Sequence, residues 1–371
     1  MSAAGATKLI PPIRKGTDAA ARQRLLIIQP LVGIGDMVWH KPWIDHLSHY
    51  YDVILATKPT VQAHHLFAGN PNIVAILPIE RSLRGRKGKH DGMIGTLRLI
   101  KDFRDAHADK VVVLHHSARY GFMARLAGIT ERWGYGIGGA ARWLNTGQFL
   151  PKSDRNRHPT KKMLDFAVMN GFQPDMTVWQ MQSTAAAHDG ATTFLQQHGV
   201  AADQAISPFV MLGVGAMHVD RQWPTSHFAR LIEKIRAAYP QISIGIMGAP
   251  SEQHLLDDVC ASLDHADDIL VCTNPMDVAI SLLARSAVYV GNDTSLLNIA
   301  AACGRPSIGL FAQSTPLDYN PNIKAVCVPD GRFDVPGHIA SITPDLVFTA
   351  LCHELQECGY ESQAEDTNMD Q

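Results

Sequence analysis

The chain has 371 residues and a formal net charge of -2; 46% of its residues are hydrophobic and 18% charged. That length suits two domains of ordinary size, and the mixture is that of a soluble globular protein. The near-neutral balance argues against a global positive field for nucleic acid, and no run supplies the roughly 18 apolar residues that span a membrane.

Residues 1–23 are polar, lack the apolar core of a secretory signal, and read as a flexible arm. Arg24 to Gln29, RLLIIQ, reads as a buried strand, followed by a glycine-bearing turn from Leu31 to Asp36. Helical spacing runs from Met37 to Tyr50 through Trp39, Trp43, Ile44 and Leu47; Pro42 either kinks that helix or lies in its first turns. Strands are expected at Asp52 to Ala56, Ile73 to Leu77 and Lys110 to Leu114, with a helix over Met93 to Ala106. Helices follow at Met163 to Asn170 and Thr192 to His198, each closed by a glycine. A second alternation has strands at Phe209 to Gly213, Ser243 to Met247, Ala287 to Val290 and Ser307 to Phe311. Its helices are His227 to Tyr239, Val278 to Ala284, Ser295 to Cys303 and Thr343 to Glu357. Such alternation predicts parallel sheets covered on both faces. The chain divides into a first Rossmann-like domain over 24–185, a second over 186–342, a C-terminal helix over 343–358 and a flexible tail over 359–371. Each half opens with a strand leading into a glycine loop. Open sheets bind ligands beyond their strands' carboxyl ends, so the expected site is a cleft where two such sheets face each other.

Five motifs carry the chemistry. Gly33-Ile34-Gly35-Asp36 sits between the first strand and helix, where Asp36 is a candidate general base for a sugar hydroxyl or simply a helix cap. The third glycine of a dinucleotide fingerprint is missing, because that position is Val38, which demotes a nicotinamide oxidoreductase. Gly213-Val214-Gly215-Ala216 precedes Arg221-Gln222-Trp223-Pro224; Arg221 is placed to hold a diphosphate or is a solvated surface arginine. Trp223 and Pro224 read as structural, covering and starting the next helix. Gly291-Asn292-Asp293-Thr294-Ser295 offers hydroxyls and free amides at a helix start, with capping by Asp293 or Thr294 as the plain alternative. Glu252, after Gly248-Ala249-Pro250, suits ribose hydroxyls or the first turn of a helix. Arg81, Arg84, Arg86, Lys87 and Lys89, with Gly85 and Gly88 among them, read as a mobile basic loop. That loop is either solvated or turned to a phosphorylated acceptor at an anionic membrane. Arg119, after His115-His116-Ser117, is placed to face the same acceptor. Six cysteines form no C-x-x-C pair and read as reduced, mostly buried thiols. The doublets His64-His65 and His115-His116 lack metal-ligand spacing, so no metal site is assigned.

The segments LLIIQPLVGIGDMVWHKPWIDHL, HHSARYGFMARLAGITERWGYG and VGNDTSLLNIAAACGRPSIGLFAQSTPLDYNP together resemble glycosyltransferase family 9, the ADP-heptose:lipopolysaccharide heptosyltransferases. The resemblance runs from about Arg24 to Glu357. It implies a GT-B fold of two Rossmann-like doubly wound domains facing across a cleft, with a donor site in the second. It implies a bacterial, cytoplasmic enzyme, peripheral at the inner membrane, that transfers a sugar with inversion from an ADP-sugar, ADP-heptose in that family. The acceptor is lipopolysaccharide or a related glycan, with no cofactor beyond the donor and no nucleic-acid partner. Asp36 matches the family's catalytic aspartate. Gly215, Arg221, Glu252, Asp293, Thr294, Ser295 and Asn298 stand on the donor side; Gly35, Arg81, Arg84, Arg86 and Arg119 stand on the acceptor side. The family usually reads D-T-G-x-x-H where this chain has Asp293-Thr294-Ser295-Leu296-Leu297-Asn298, and Asn298 cannot carry a histidine's charge. A nucleotide-sugar-binding protein without turnover, or a nucleotide-sugar epimerase on the same scaffold, is the alternative.

Overall fold

The computed structural model describes residues 22–82, 85, 87–174, 181, 183–201, 207–316 and 320–363. The chain forms two compact units, Met1–Val178 and Trp179–Gln371. In the first, the elements are β1 (Arg24–Gln29), α1 (Ile34–Ser48), β2 (Asp52–Thr57), α2 (Ala63–Leu66), β3 (Ile73–Pro78), α3 (Gly92–Asp105), β4 (Lys110–Val113), α4 (Ala118–Leu126), β5 (Glu131–Gly134) and α5 (Pro159–Met169). The sheet order is β3-β2-β1-β4-β5 and every pairing is parallel. Leu25 to Ile28 are fully buried because a parallel strand in the middle of such a sheet has helices on both sides. Leu26, Ile28, Val111 and Val113 pack with Leu99 and Phe103 of α3 and Met123 of α4. On the other face α1 and α5 meet through Trp43 and Phe166, rings edge to face with centroids 6.5 Å apart.

The second unit has α6 (Ala185–Gln197), β6 (Phe209–Gly213), α7 (Thr225–Ala238), β7 (Ser243–Met247), α8 (Gln253–Ala261), β8 (Leu270–Cys272), α9 (Met276–Arg285), β9 (Val288–Asn292), α10 (Ser295–Ala302), β10 (Ser307–Phe311), β11 (Ile323–Cys327) and α11 (Pro344–Glu357). Its sheet runs β11-β10-β9-β6-β7-β8, again all parallel. Val210 and Leu212 pack with Phe228 and Ile232 of α7, Leu256 of α8 and Leu351 of α11. Both units are therefore Rossmann-like doubly wound layers, the GT-B class.

Several boundaries shift from the sequence pattern for local reasons. Helix α1 begins at Ile34, ahead of the expected Met37, because Asp36 at its third position reaches back to the Gly33 amide; Pro42 then lies in the helix interior. Helix α6 begins at Ala185, not Thr192, because the Thr184 hydroxyl caps the Ala187 amide at 3.2 Å. Strand β9 continues through Asn292, so Gly291 and Asn292 belong to the sheet and not to a loop. Helices α2, α4 and α8 and strands β5, β8 and β11 add to the expected set. Of the six cysteines only Cys272 is buried, against the expectation of mostly buried thiols; Cys260, Cys303, Cys327 and Cys352 are half-buried and Cys358 is exposed.

Candidate functional site

In each sheet the chain winds outward from one central strand, then returns to its other side. That switch point falls between β1 and β4 in the first unit and between β6 and β9 in the second. Loops leaving the two neighbouring strands diverge there and open a crevice at the carboxyl edge. The five expected motifs are distributed over these two edges.

At the first switch point, the Asp36 Oδ2 accepts from the Gly33 amide at 3.0 Å, so the carboxylate caps α1, one of the two readings of the motif. Its backbone is held as well. The Asp36 carbonyl accepts from His40 Nδ1 at 2.6 Å, which leaves His40 Nε2 to accept from the Tyr135 hydroxyl at 3.1 Å. Burial raises the Asp36 pKa above the usual carboxylate value, and the Gly33 amide and the Lys162 charge pull it back. Lys162, on α5, lies in the same field; burial lowers its pKa, while Asp154 and Asp36 hold it up. Its Nζ donates to the Arg155 carbonyl at 3.3 Å. His158, which caps α5, sets its ring against Trp39 of α1 with centroids 4.2 Å apart. His115 and His116 leave β4 as a stacked pair with centroids 4.3 Å apart. Desolvation drives His40, His115 and His158 down to about 4, and His116 is lowered too. A half-enclosed carboxylate thus lies in the field of Lys162, a field that His115, His116 and His158 share.

Gly35 lies in the first turn of α1, next to Asp36. Arg119 lies in the first turn of α4, exposed, and its charge reaches both His115 and Tyr120. Arg81 also acts on Tyr120, pairs with Asp91 at 3.9 Å, and keeps one terminal nitrogen buried without a hydrogen-bond partner among the described residues. Arg84 and Arg86 lie outside the described residues. The base of this basic segment is tied down. The Glu80 amide donates to His90 Nδ1 at 3.0 Å, the His90 amide donates to the Glu80 carbonyl at 2.8 Å, and His90 Nε2 donates to Asp102 at 2.9 Å.

At the second switch point, Asn292 is fully buried and joins the pieces. Its Oδ1 accepts from the Trp223 amide at 2.9 Å, and its Nδ2 donates to the carbonyls of Val214 at 2.9 Å and Gly215 at 3.2 Å. The Trp223 indole donates to the Ile342 carbonyl at 2.8 Å, so the tryptophan is the structural cover the sequence suggested. Arg221 ends a short turn and pairs with Asp293 at 3.6 Å; Asp293 also accepts from the Ser314 hydroxyl at 2.9 Å. Asp293 is thereby engaged, and Thr294, the residue before α10, makes no side-chain cap. The amides of that helix start stay available to a ligand.

Glu252 accepts from the Ala249 amide at 2.7 Å and its carboxylate lies against Gly215, where a Cβ would collide with it. Gly213 and Gly291 likewise leave room for the Tyr289 hydroxyl. Thr294 and Glu252 are that hydroxyl's polar neighbours, and burial suppresses its ionisation. Ser295 opens α10. Asn298 is almost wholly buried and donates to the Thr294 carbonyl at 2.8 Å. The geometry therefore joins Gly215 with Glu252, Arg221 with Asp293, and Thr294 with Asn298. Asn292, Tyr289, Lys162 and His158 were not singled out from the sequence. Asn292 stood inside the third motif, and its lone amide at the end of an apolar strand was the one available signal.

Two parallel doubly wound units with glycine-lined switch points make a scaffold of the GT-B class. The chain belongs to glycosyltransferase family 9 (heptosyltransferase), whose model matches residues 96–330. It is 24% identical over 240 residues to lipooligosaccharide heptosyltransferase 2 of Haemophilus influenzae, a match covering 60% of this chain and 65% of that protein. It is 27% identical over 106 residues to lipopolysaccharide heptosyltransferase 2 of Escherichia coli, covering 27% of this chain and 29% of that protein. These matches span less than two thirds of either relative. The fold is shared with a family 9 glycosyl transferase from Veillonella parvula (TM-score 0.73, 15% identity, 90% of this chain and 97% of that one). It is shared too with E. coli ADP-heptose lps heptosyltransferase II (TM-score 0.66, 19% identity, 90% and 99%). A third such fold is E. coli heptosyltransferase WaaC with ADP-2-deoxy-2-fluoro heptose (TM-score 0.64, 18% identity, 89% and 99%).

Proposed function

We propose that the protein is an inverting glycosyltransferase that moves heptose from ADP-heptose onto a lipopolysaccharide-core acceptor, working on the cytoplasmic side of the inner membrane in peripheral contact with it. Family membership supports the class of reaction, and relatives named for heptose transfer support the donor and acceptor. The reading rests above all on Asp36, a half-enclosed carboxylate at the first switch point with a lysine in its field. Asp36 takes the proton of an acceptor hydroxyl bound near Gly35, Arg81, Arg84, Arg86 and Arg119. The hydroxyl oxygen forms the new bond to the anomeric carbon as the bond to the diphosphate oxygen breaks, and the nucleoside diphosphate leaves with that electron pair. One displacement inverts the centre. Arg221 and the free amides around Thr294 and Ser295 receive the charge that develops on the leaving group, with Asp293 orienting the arginine. Gly215 and Glu252 form the ribose side, and Asn298 holds the Thr294 turn. With an arginine and helix amides in that role, the reading calls for no divalent metal and no cofactor beyond the donor.

The test is thermal stabilisation by ADP, UDP, GDP and ADP-heptose, paired with release of ADP in the presence of a lipopolysaccharide-core acceptor. ADP ligands should raise the melting temperature selectively, most of that shift should vanish in Arg221→Ala, and ADP release should require acceptor. A shift with UDP or GDP alone would overturn the donor. Consumption of ADP-heptose at one rate with and without acceptor would overturn transfer.

A further inference from the structure

Helix α3 is apolar on two faces at its start. Leu99, Ile100 and Phe103 fill the core, while on the outward side Met93 is 82% exposed, Ile94 67% and Leu97 61%. The outward strip then carries Arg98, Lys101 and Arg104, all exposed, with Lys101 paired to the exposed Asp105 and Arg104 donating to the Leu126 carbonyl, so that Arg98 is the cation next to the apolar side chains. Lys87 and Lys89 stand on the segment leading into the helix, both exposed or half-exposed. The acidic groups at this end are drawn inward. Asp91 accepts from the Gly88 amide at 2.7 Å and pairs with Arg81, and Asp102 is taken by His90 and Lys89. Contiguous exposed apolar side chains ringed by cations are unusual on a soluble surface and mark a contact face. The place matters too. The chain leaves the carboxyl end of β3 at Pro78, and the tied segment around His90 starts α3 at that edge of the sheet, the edge that carries Asp36.

We propose that the first two turns of α3, through Met93, Ile94 and Leu97, insert shallowly into an anionic phospholipid surface, with Lys87, Lys89 and Arg98 held at the headgroups. Apolar side chains enter the acyl boundary, and cations gain from the negative surface potential while their stems lie along the apolar layer. A second copy of the chain is the poorer occupant, since a two-fold contact would bring like charges together. Three side chains also supply far less than the about 800 Å² per partner of a stable dimer. The membrane role rests on the proposed reading, in which the acceptor is lipid-linked. The surface itself is tested without donor or acceptor, so its failure and the failure of transfer are separable.

The experiment is co-sedimentation of the full-length protein with vesicles of phosphatidylcholine alone and of phosphatidylcholine mixed with phosphatidylglycerol, at low and high salt. The wild type should bind the anionic vesicles, less at high salt. The triple variant Met93→Ser, Ile94→Ser, Leu97→Ser should lose at least about tenfold in partition, since each removes apolar area from the membrane phase. Because those side chains are exposed, its melting temperature should match the wild type. Arg98→Glu offers an independent arm and should weaken binding to the anionic vesicles only. Equal partition of wild type and triple variant, or no binding of the wild type to anionic vesicles at low salt, would overturn the proposal. So would sedimentation velocity showing a dimer that the triple variant abolishes, which assigns the patch to a second copy.

Discussion

At the carboxyl end of β1 and β4 the polar groups are side chains whose ionisation burial has shifted; at the end of β6 and β9 an arginine paired with a carboxylate stands beside uncapped backbone amides. The first crevice sets Asp36 and Lys162 among His115, His116 and His158, each with a pKa moved by burial. The second offers glycines, the uncapped start of α10 and one half-exposed arginine, arranged by the buried Asn292. On the proposed reading, the contrast follows from what each crevice is asked to do. Moving a proton near neutral pH needs a side chain whose pKa is tuned, and tuning requires partial desolvation. Holding a diphosphate needs fixed dipoles and a permanent cation, and an arginine supplies that charge without being buried at high cost.

Asp36→Asn should produce the largest effect. The asparagine oxygen still accepts from the Gly33 amide, so α1 keeps its cap and the fold is preserved. On the proposed reading kcat falls about 10²- to 10⁴-fold, the usual contribution of a general base. Donor KM and the thermal shift with ADP stay at wild-type values, since the proposed donor residues belong to the second unit. Steady-state rates beside nucleotide melts decide it: a kcat within a few-fold of wild type would remove the proton-transfer role from the first crevice.

Asn292→Ala is expected to act on the other side of the comparison. The alanine leaves the Trp223 amide and the carbonyls of Val214 and Gly215 without their buried partner. Stranded buried groups cost about 1–3 kcal/mol each, with relaxation and water recovering part, so a loss of about 2–4 kcal/mol is expected. Chemical denaturation followed by Trp fluorescence measures it, and nucleotide affinity should fall in parallel. An unchanged midpoint would mean that the glycine loop does not depend on this amide.

The central strands and the helices that pack on them were legible because they depend on local pattern: apolar runs such as LLII, and glycines where chain direction changes; the short strands β5, β8 and β11 carry too little apolar run to read. Helix starts were less legible. Those of α1 and α6 are set by single side-chain caps, from Asp36 and Thr184, ahead of any apolar periodicity. The site was legible where a motif is contiguous, as for Asp293 and Thr294 after β9. It was not where distant segments converge. Lys162 enters the field of Asp36 only because Trp39 and Trp43 of α1 pack on His158 and Phe166 of α5. Asn292 gains its importance from Trp223, which arrives from a different loop. Neither pairing leaves a trace in spacing.

Lys162→Met should give the smallest but most discriminating effect, on the pH profile. A general base works deprotonated, so kcat/KM declines as pH falls through the Asp36 pKa of the folded enzyme. Burial raises that pKa, and the Lys162 charge opposes the rise. Lys162 is the charge that acts on Asp36, and His40 holds the Asp36 carbonyl from its own helix; His115, His116 and His158 share the field of Lys162, with Asp154 and Arg155 beyond it. With His40, His115 and His158 at about 4, the imidazoles are neutral where the enzyme is assayed, and Lys162 supplies the cation that acts on the carboxylate. Removing it should move the acid limb to higher pH by up to about one unit, with Lys162→Arg restoring the wild-type limb. A purely structural lysine would lower the rate at every pH and leave the midpoint unmoved. Stability has its own acid limb, which must be measured alongside. His40 has a folded pKa of about 4 against an ordinary 6.5, so the unfolded chain takes up a proton first as pH falls between those values. Its contribution is intact above 6.5 and is lost toward 4, at about 1.4 kcal/mol per pH unit in mid-range. An acid limb in kcat/KM that shifts in Lys162→Met while the stability limb stays in place assigns the shift to Asp36.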